Sequence, residues 1–361
     1  MAGQVIYNNN LTMAGGGKDV LSPLITSLFD QDLVSHEYME DLMSKLGFKA
    51  TRALTPEQKF SVIIGAYELS EITEGQDIPD VEVGKGADKG FEIQQFGGKI
   101  GITKLFRKWI ETASSLEGAD SSVKAEWARL AQNILNLRRG QVKNKNISMT
   151  ELLTKGWVST SSYGPGSATP YGQPLFSSAH PYKDGAESFS NLLSTPNDAL
   201  DATSLQDAID KQKTALRLQN GDRVMTPSVY KLIVSRENAV TARAILNTAG
   251  NQVGVYSGTG SNAAQLNTFS FNGNVVEIVE NGFIGYEKKD GTKIGTDSYR
   301  FVLNADAAAM ASAMRFITLY DAEVSVYQND SNNNTYVSLD LGYAVDHYGL
   351  ESFIVGSQGS A

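Results

Sequence analysis

The chain has no cysteine and only three histidines in its 361 residues, and each scarcity excludes something. Without thiols there are no disulfides, thiolate metal sites or cysteine nucleophiles, so stability must come from packing and assembly. His36, His180 and His347 are spread along the sequence, with none of the short spacing of a local metal signature. No apolar run approaches the ~20 residues that span a bilayer, and neither end reads as a secretory signal. The expectation is a soluble protein, without membrane contact, made in a cytoplasm. Positive charge is also in deficit: 31 Lys and Arg against 40 Asp and Glu give a formal net charge of -9. That argues against a surface built to bind nucleic acid tightly.

What is present is globular. Hydrophobic residues make up 41% and charged residues 20%, while 34 glycines point to many turns and a β-rich part. The length suffices for one large or two ordinary domains. No nucleophile elbow, dinucleotide fingerprint or phosphate loop is found. Gly17-Lys18 falls short of the last of these, because Thr12 and Asp19 stand where Gly and Ser or Thr are required. The acidic set Glu68, Glu71, Glu74, Asp77, Asp80 and Glu82 lacks the ligand register and final bidentate Glu of a calcium loop. No catalytic, cofactor or metal residues are assigned.

Residues 68–109 hold the strongest organising signal. Val81 and Val83 flank Glu82, Phe91 and Ile93 flank Glu92, and Ile100 and Ile102 flank Gly101, which is the alternation of half-buried strands. The polar stretch 84–90 between the first two pairs predicts a long hairpin. Few large apolar residues back it, and a lone two-stranded ribbon is marginal in water. It therefore needs a neighbour to lie on, the other reading being an ordinary edge hairpin on its own sheet. Its first strand is acidic (Asp77, Asp80, Glu82). The tip and return are basic (Lys85, Lys89, Lys99, Lys104, Arg107, Lys108). Such an arm either registers against an oppositely charged neighbour or is simply a solvated ribbon.

Residues 1–20, with Asn8-Asn9-Asn10 and Gly15-Gly16-Gly17, cannot bury enough surface to order themselves and read as an arm. Apolar residues from Leu24 to Leu46 recur at near-helical spacing, with Gly47 as the stop. The apolar run Val62-Ile63-Ile64 then leads into the extended hairpin. Beyond it, Ser121 or Ser122 caps an amphipathic helix carrying Val123, Trp127, Leu130, Ile134 and Leu137 at spacings of four, three, four and three. Gly140 marks its end or a break before 149–157. The pair Arg138-Arg139 reads as solvated or in subunit ion pairs, a phosphate contact being the alternative. Residues 159–191 have loop composition, and a domain boundary is expected there.

Within that loop stands Gly172-Gln173-Pro174-Leu175-Phe176-Ser177-Ser178-Ala179-His180-Pro181, followed by Gly185 and Ser190-Asn191-Leu192. His180 reads as a neutral imidazole pinning the loop by hydrogen bonds rather than as a general base, and His347, near a turn, reads the same way. The segment resembles a motif of the major capsid proteins of tailed bacteriophages, in which Gly-x-Pro-Leu-Phe-Ser/Thr-x-x-His-Pro precedes a Gly and an Asn-Leu. The sequel is similar too: a helix over 204–219, Gly221 to Pro227, a strand through Leu232-Ile233-Val234 and an alanine-containing helix over 239–246. A hairpin follows, with strands over 322–327 and 336–348 and a polar turn over 328–334 that contains Asn332 and Asn333. Its return, with Gly342, Val345, Asp346 and Gly349, resembles the Gly-x-x-Val-x-Asp-x-x-Gly ending of the same family, one residue shorter between Val and Asp.

The resemblance implies an α+β, HK97-like capsid fold that forms the icosahedral shell enclosing double-stranded DNA. Its parts would be an N-terminal arm and short helices (1–48), a lead-in to the peripheral domain (49–66) and an extended loop (67–106). The peripheral domain would comprise 107–157 and 321–361, with a long spine helix, and the axial domain 158–320. Subunit contacts are expected from Asp77, Asp80, Glu82, Lys85, Lys89, Phe91, Ile93 and Phe96 of the loop, and from Trp127, Arg138, Arg139, Asn332 and Asn333 of the peripheral helix and hairpin. The implied partners are further copies in pentamers and hexamers, a portal, in some shells a cement protein, and DNA held without sequence-specific binding. Because the sequence starts at Met1, a large pro-segment is expected to have been either never present or not removed, and the expected assembly aid is a separate scaffolding protein. The expected location is the virion, with assembly in the host cytoplasm. An encapsulin-like cellular compartment would share the fold. A β-rich enzyme or carbohydrate-binding protein is the remaining alternative.

Overall fold

The computed structural model describes residues 42–61, 88–112, 121–157, 173–182, 185–195, 198–218, 220–223, 229–247, 268–271, 274–295, 301–305, 314–328, 334–347 and 354–356. The architecture is α+β. Fifteen strands are described: β1 (Phe48–Arg52), β2 (Glu57–Ser61), β3 (Asp88–Glu92), β4 (Gln94–Ile102), β5 (His180–Tyr182), β6 (Glu187–Phe189), β7 (Val229–Val234), β8 (Thr268–Phe271), β9 (Asn274–Glu280), β10 (Tyr286–Glu287), β11 (Lys293–Ile294), β12 (Phe301–Ala305), β13 (Met314–Gln328), β14 (Thr335–His347) and β15 (Ile354–Gly356). The helices are α1 (Lys104–Thr112), α2 (Ser121–Thr154), α3 (Ala202–Thr214) and α4 (Arg236–Leu246).

Two sheets organise the chain. The first has the order β1-β13-β14-β4, and the second β15-β12-β7-β9-β8. In the first, β13 and β14 form the long hairpin foreseen from the C-terminal alternation, with Tyr327 opposite Tyr336 near its tip. Helix α2 lies on this sheet. Leu130 and Ile134 pack with Ile102, Val337 and Leu339, so the four-three spacing of the helix meets the period-two face of the strands. The C-terminal half of α2 enters a second core, where Met149, Leu152 and Leu153 meet Phe48, Phe316, Leu341 and Tyr343.

The second sheet is sandwiched. Helices α3 and α4 cover one face through Leu205, Ile209, Ala239, Ala242 and Leu246 against Tyr230, Leu232, Val234, Val276 and Ile278. Its other face turns Ile233, Val279, Val302 and Ile354 into the core shared with α2. Both covering helices start on side-chain caps: Asp201 and Ser204 form a reciprocal capping box on α3, and the Ser235 hydroxyl accepts the Asn238 N–H on α4.

The structure redraws three sequence expectations. The partner of β3 is β2, with Glu57 opposite Glu92 and Ser61 opposite Asp88, so residues 88–90 are strand rather than turn. Strand β4 is not part of an isolated ribbon; it pairs along its length with β14, from Gln94 opposite Tyr343 to Ile102 opposite Thr335. The apolar backing that the local sequence lacked comes from α2, where Leu137 sits about 3.8 Å from the position a side chain on Gly98 would take. Gly140 neither ends nor breaks α2, which runs on to Thr154. Packing at both ends of the helix outweighs the ~1 kcal/mol that a mid-helix glycine costs relative to alanine. Strand β15 pairs antiparallel with β12 at the end of the second sheet. Helix α1 has no counterpart in the sequence reading.

Candidate subunit interface

Strands β2 and β3 bring the two ends of segment 62–87 side by side. The root is fixed to the first sheet by a small cluster in which Phe91, 3% exposed, meets Ala53 and Ile317, with Ile93, Leu319 and Ala344 around it. Phe91 and Ile93 therefore fasten the loop to its own subunit. Phe96 does the same one strand further on: its ring stacks on Tyr343 at 4.6 Å, and Tyr343 stacks on Phe316 at 5.0 Å. Phe91 is buried, and Ile93 and Phe96 are half-buried.

The charged residues expected in the first strand and tip of the loop, Asp77, Asp80, Glu82 and Lys85, lie outside the described residues, as do Asn332 and Asn333 of the hairpin turn. Lys89 and Trp127 have their backbones in β3 and α2; their side chains lie outside the description. Arg138 and Arg139 sit on α2, half-buried and exposed respectively, and Arg139 Nη1 donates to Asn136 Oδ1 at 3.4 Å.

At the far end of the hairpin, Arg107 of α1 is buried and donates from Nη1 to Gln328 Oε1 at 2.8 Å and Thr335 Oγ1 at 3.4 Å. The Lys104 N–H donates to Asn334 Oδ1 at 3.2 Å. These bonds tie the start of α1 to both strands where they enter and leave the turn. The sequence reading counted Arg107 with the basic return of the arm, because nothing local reveals partners more than 200 positions away.

The motif at 172–192 is a joint. Asn191, fully buried, donates from Nδ2 to Leu175 O at 2.8 Å; its Oδ1 accepts the Ser177 backbone N–H at 2.9 Å and the ring Nε2–H of His180 at 3.1 Å. The expected structural role of the buried imidazole is the one seen. Phe176 fits between two glycines: a Cβ on Gly156 would stand 2.7 Å from its ring, and one on Gly356 2.6 Å. The end of α2, the loop and β15 thus converge on one side chain.

A second joint went unread in the sequence. Glu151, buried on α2, bonds Lys155 at 3.5 Å and contacts Lys288 from the turn between β10 and β11. Nearby, Asn281 Nδ2 donates to Thr150 Oγ1 at 2.9 Å. Burial pushes the Tyr343 phenol up to about 12, although its hydrogen bond with Ser148 Oγ (3.1 Å) works the other way. Among the described residues no group of three His, Asp or Glu side chains is placed to hold a metal ion. No described helix is long and apolar enough to cross a membrane.

No family model and no curated protein matches the sequence. Solved structures do resemble the fold. The capsid of cyanophage P-SCSP1u matches 87% of this chain and 86% of its own, with a TM-score of 0.48 and 9% identity. The mature capsid of bacteriophage PhiM1 matches 88% and 86%, with 0.43 and 12%. The capsid of Ralstonia phage GP4 matches 88% and 89%, with 0.44 and 13%.

Proposed function

We propose that this chain is the major capsid protein of a tailed bacteriophage and that its work is structural: copies assemble into an icosahedral shell enclosing double-stranded DNA. The observation that carries the reading is the way the loop root is built. Phe91 and Ile93 clamp β3 to the body and β2 pairs with it, so both ends of the acidic segment 62–87 are fixed at one site. A root of that kind presents a loop to a neighbour. The spine-like α2 on the β13–β14 hairpin and the joint at Asn191 support the same reading, since they give form to the two stretches that resemble capsid proteins.

Pentamers and hexamers form through the axial part, built on the second sheet. A separate scaffolding protein assists assembly in the host cytoplasm, and a portal occupies one vertex. Each contact is weak, and multiplication over many subunits makes the shell stable. The acidic balance suits a container that must release DNA as well as hold it.

Electron microscopy of the purified, expressed chain tests this. Closed icosahedral particles are expected, with DNA inside when they are recovered from infected cells. Particles that carry protein cargo and no DNA would point to a cellular compartment, and a compact monomer under all conditions would overturn the reading. Replacing 64–85 with a short Gly/Ser linker, which leaves β2 and β3 intact, is expected to give soluble subunits that fail to close shells.

A further inference from the structure

Helix α2 meets segment 281–295 along a polar stripe. Lys143 Nζ donates to the Tyr286 hydroxyl, Thr150 Oγ1 accepts from Asn281 Nδ2 at 2.9 Å, and Glu151 contacts Lys288. A Cβ on Gly295 would stand 2.8 Å from Thr154 Cγ2. Positions 143, 150, 151 and 154 share one side of the helix. Asn146 belongs beside them, three residues after Lys143 and four before Thr150. It stands at the margin where this stripe gives way to the apolar side that carries Met149 and Leu153 into the shared core.

Asn146 is 1% exposed, and among the described residues neither its Nδ2 nor its Oδ1 has a hydrogen-bond partner. The polar groups next to it on the stripe are already engaged. The Thr150 hydroxyl gives its proton to the Asn146 backbone O at 2.8 Å and accepts from Asn281. Asn281 Oδ1 accepts the Phe283 N–H at 3.0 Å, and the Thr154 hydroxyl donates back to Thr150 O at 3.0 Å. Local rules also argue against asparagine here. Leucine favours a helix more, and it would suit a buried position one turn from Met149 and Thr150 without needing any partner. A buried amide is nearly always bonded, to protein or to ordered water.

We infer that the Asn146 side chain binds internal water at the joint between α2 and segment 281–295. What the amide needs selects the ligand. It has both a donor and an acceptor to satisfy, and water is the small molecule that answers both. A cation would serve Oδ1 alone, against the charges of Lys143 and Lys145 close by on the helix. An anion would serve Nδ2 alone, with the buried Glu151 carboxylate little more than one turn away. Internal waters usually make about three hydrogen bonds, so a further group across the joint completes the site. The water then joins α2 to segment 281–295 between the Lys143–Tyr286 and Thr150–Asn281 bonds.

The inference does not depend on the shell reading, and the full-length chain tests it in any state of assembly. In a wild-type map fine enough to show ordered solvent, a water is expected within hydrogen-bond distance of the Asn146 amide. Magnetic relaxation dispersion of the solvent counts long-lived internal waters. Asn146→Leu is expected to lose at least one of them and to melt about 2 °C or more below wild type. Asn144→Leu, at an exposed position of the same helix, should keep the wild-type count. A wild-type map in which the amide is dry, bonded directly to protein groups, or coordinated to an ion overturns the inference, whether or not the leucine variant folds. An unchanged count or a higher melting temperature in Asn146→Leu overturns it as well.

Discussion

Asn191 takes the ring N–H of His180 on the same side-chain oxygen that accepts the Ser177 backbone N–H, at 3.1 and 2.9 Å. With the amide also donating to Leu175 O, one buried side chain closes a loop rich in glycine and proline onto the start of the second sheet. Replacing Asn191 with alanine leaves a carbonyl and two donors without this partner, in a place water does not reach. Each orphaned group costs about 1–3 kcal/mol, so a loss of roughly 3–5 kcal/mol is expected in urea unfolding. Ser190→Ala, which removes only the hydroxyl that accepts the Leu192 N–H at 3.2 Å in a half-buried place, should cost about 1 kcal/mol or less. Equal effects of the two would show that the joint does not depend on Asn191.

Two glycines on or near α2 should respond in opposite directions. A methyl group at Gly140 meets nothing within 4 Å, so Gly140→Ala lowers the entropy of the unfolded chain without a clash. It is expected to stabilise by about 0.5–1 kcal/mol. At Gly156 the same methyl group would stand 2.7 Å from the Phe176 ring and 3.0 Å from Leu152 O. Overpacking of this kind costs about 1–3 kcal/mol. Adding Phe176→Leu should recover part of that loss, and thermal melts of the three variants decide it.

The contrast between these glycines shows what was legible beforehand. Spacing alone placed the apolar stripe of α2, because a helix repeats its contacts every three or four residues. It misread Gly140 as an end or a break, since the packing that carries the helix through to Thr154 comes from residues far away in sequence. The alternation of β4 was equally clear, but alternation does not name a partner. β14, more than 230 positions on, takes the strand out of the supposed ribbon. The motif around His180 and Asn191 was recognisable as a pattern, and its hydrogen bonds emerge only when 175, 177, 180 and 191 meet. Glu151 gave one faint signal, an acid amid Met149, Leu152 and Leu153, with its partner Lys288 in a different domain of the sequence reading.

That acid is the next test. Glu151 is buried, and two partly exposed lysines, Lys155 and Lys288, compensate it. Removing one partner of a buried pair costs about 3–5 kcal/mol; with lysines this solvated, roughly 1–3 kcal/mol is the expectation for Lys288→Met. Glu151→Gln keeps the shape and loses the charge, so its effect should be no larger and should fade in high salt. Denaturant midpoints at low and high ionic strength separate the two. No destabilisation of Lys288→Met would show that Lys155 alone suffices to compensate the carboxylate.

Tyr343 predicts a pH dependence whose sign follows from burial. Its phenol is pushed up to about 12 in the folded chain against 10.0 when unperturbed, so between those values the unfolded chain releases a proton that the folded chain keeps. Stability from this group is complete below pH 10 and is lost as pH rises through about 12. Two units correspond to about 2–3 kcal/mol, an order of magnitude that ionisation of other groups will overlie. Tyr343→Phe removes that contribution while retaining the stacks on Phe96 and Phe316, and loses only the bond to Ser148. The variant should therefore be less stable than wild type by about 1 kcal/mol at neutral pH and show a shallower fall between pH 10 and 12. Unfolding curves across that range, with phenolate absorbance to follow ionisation, give the comparison. Parallel losses in both proteins would mean that Tyr343 ionises as readily folded as unfolded, and that the ring is less enclosed by α2 and the hairpin than its stacking implies.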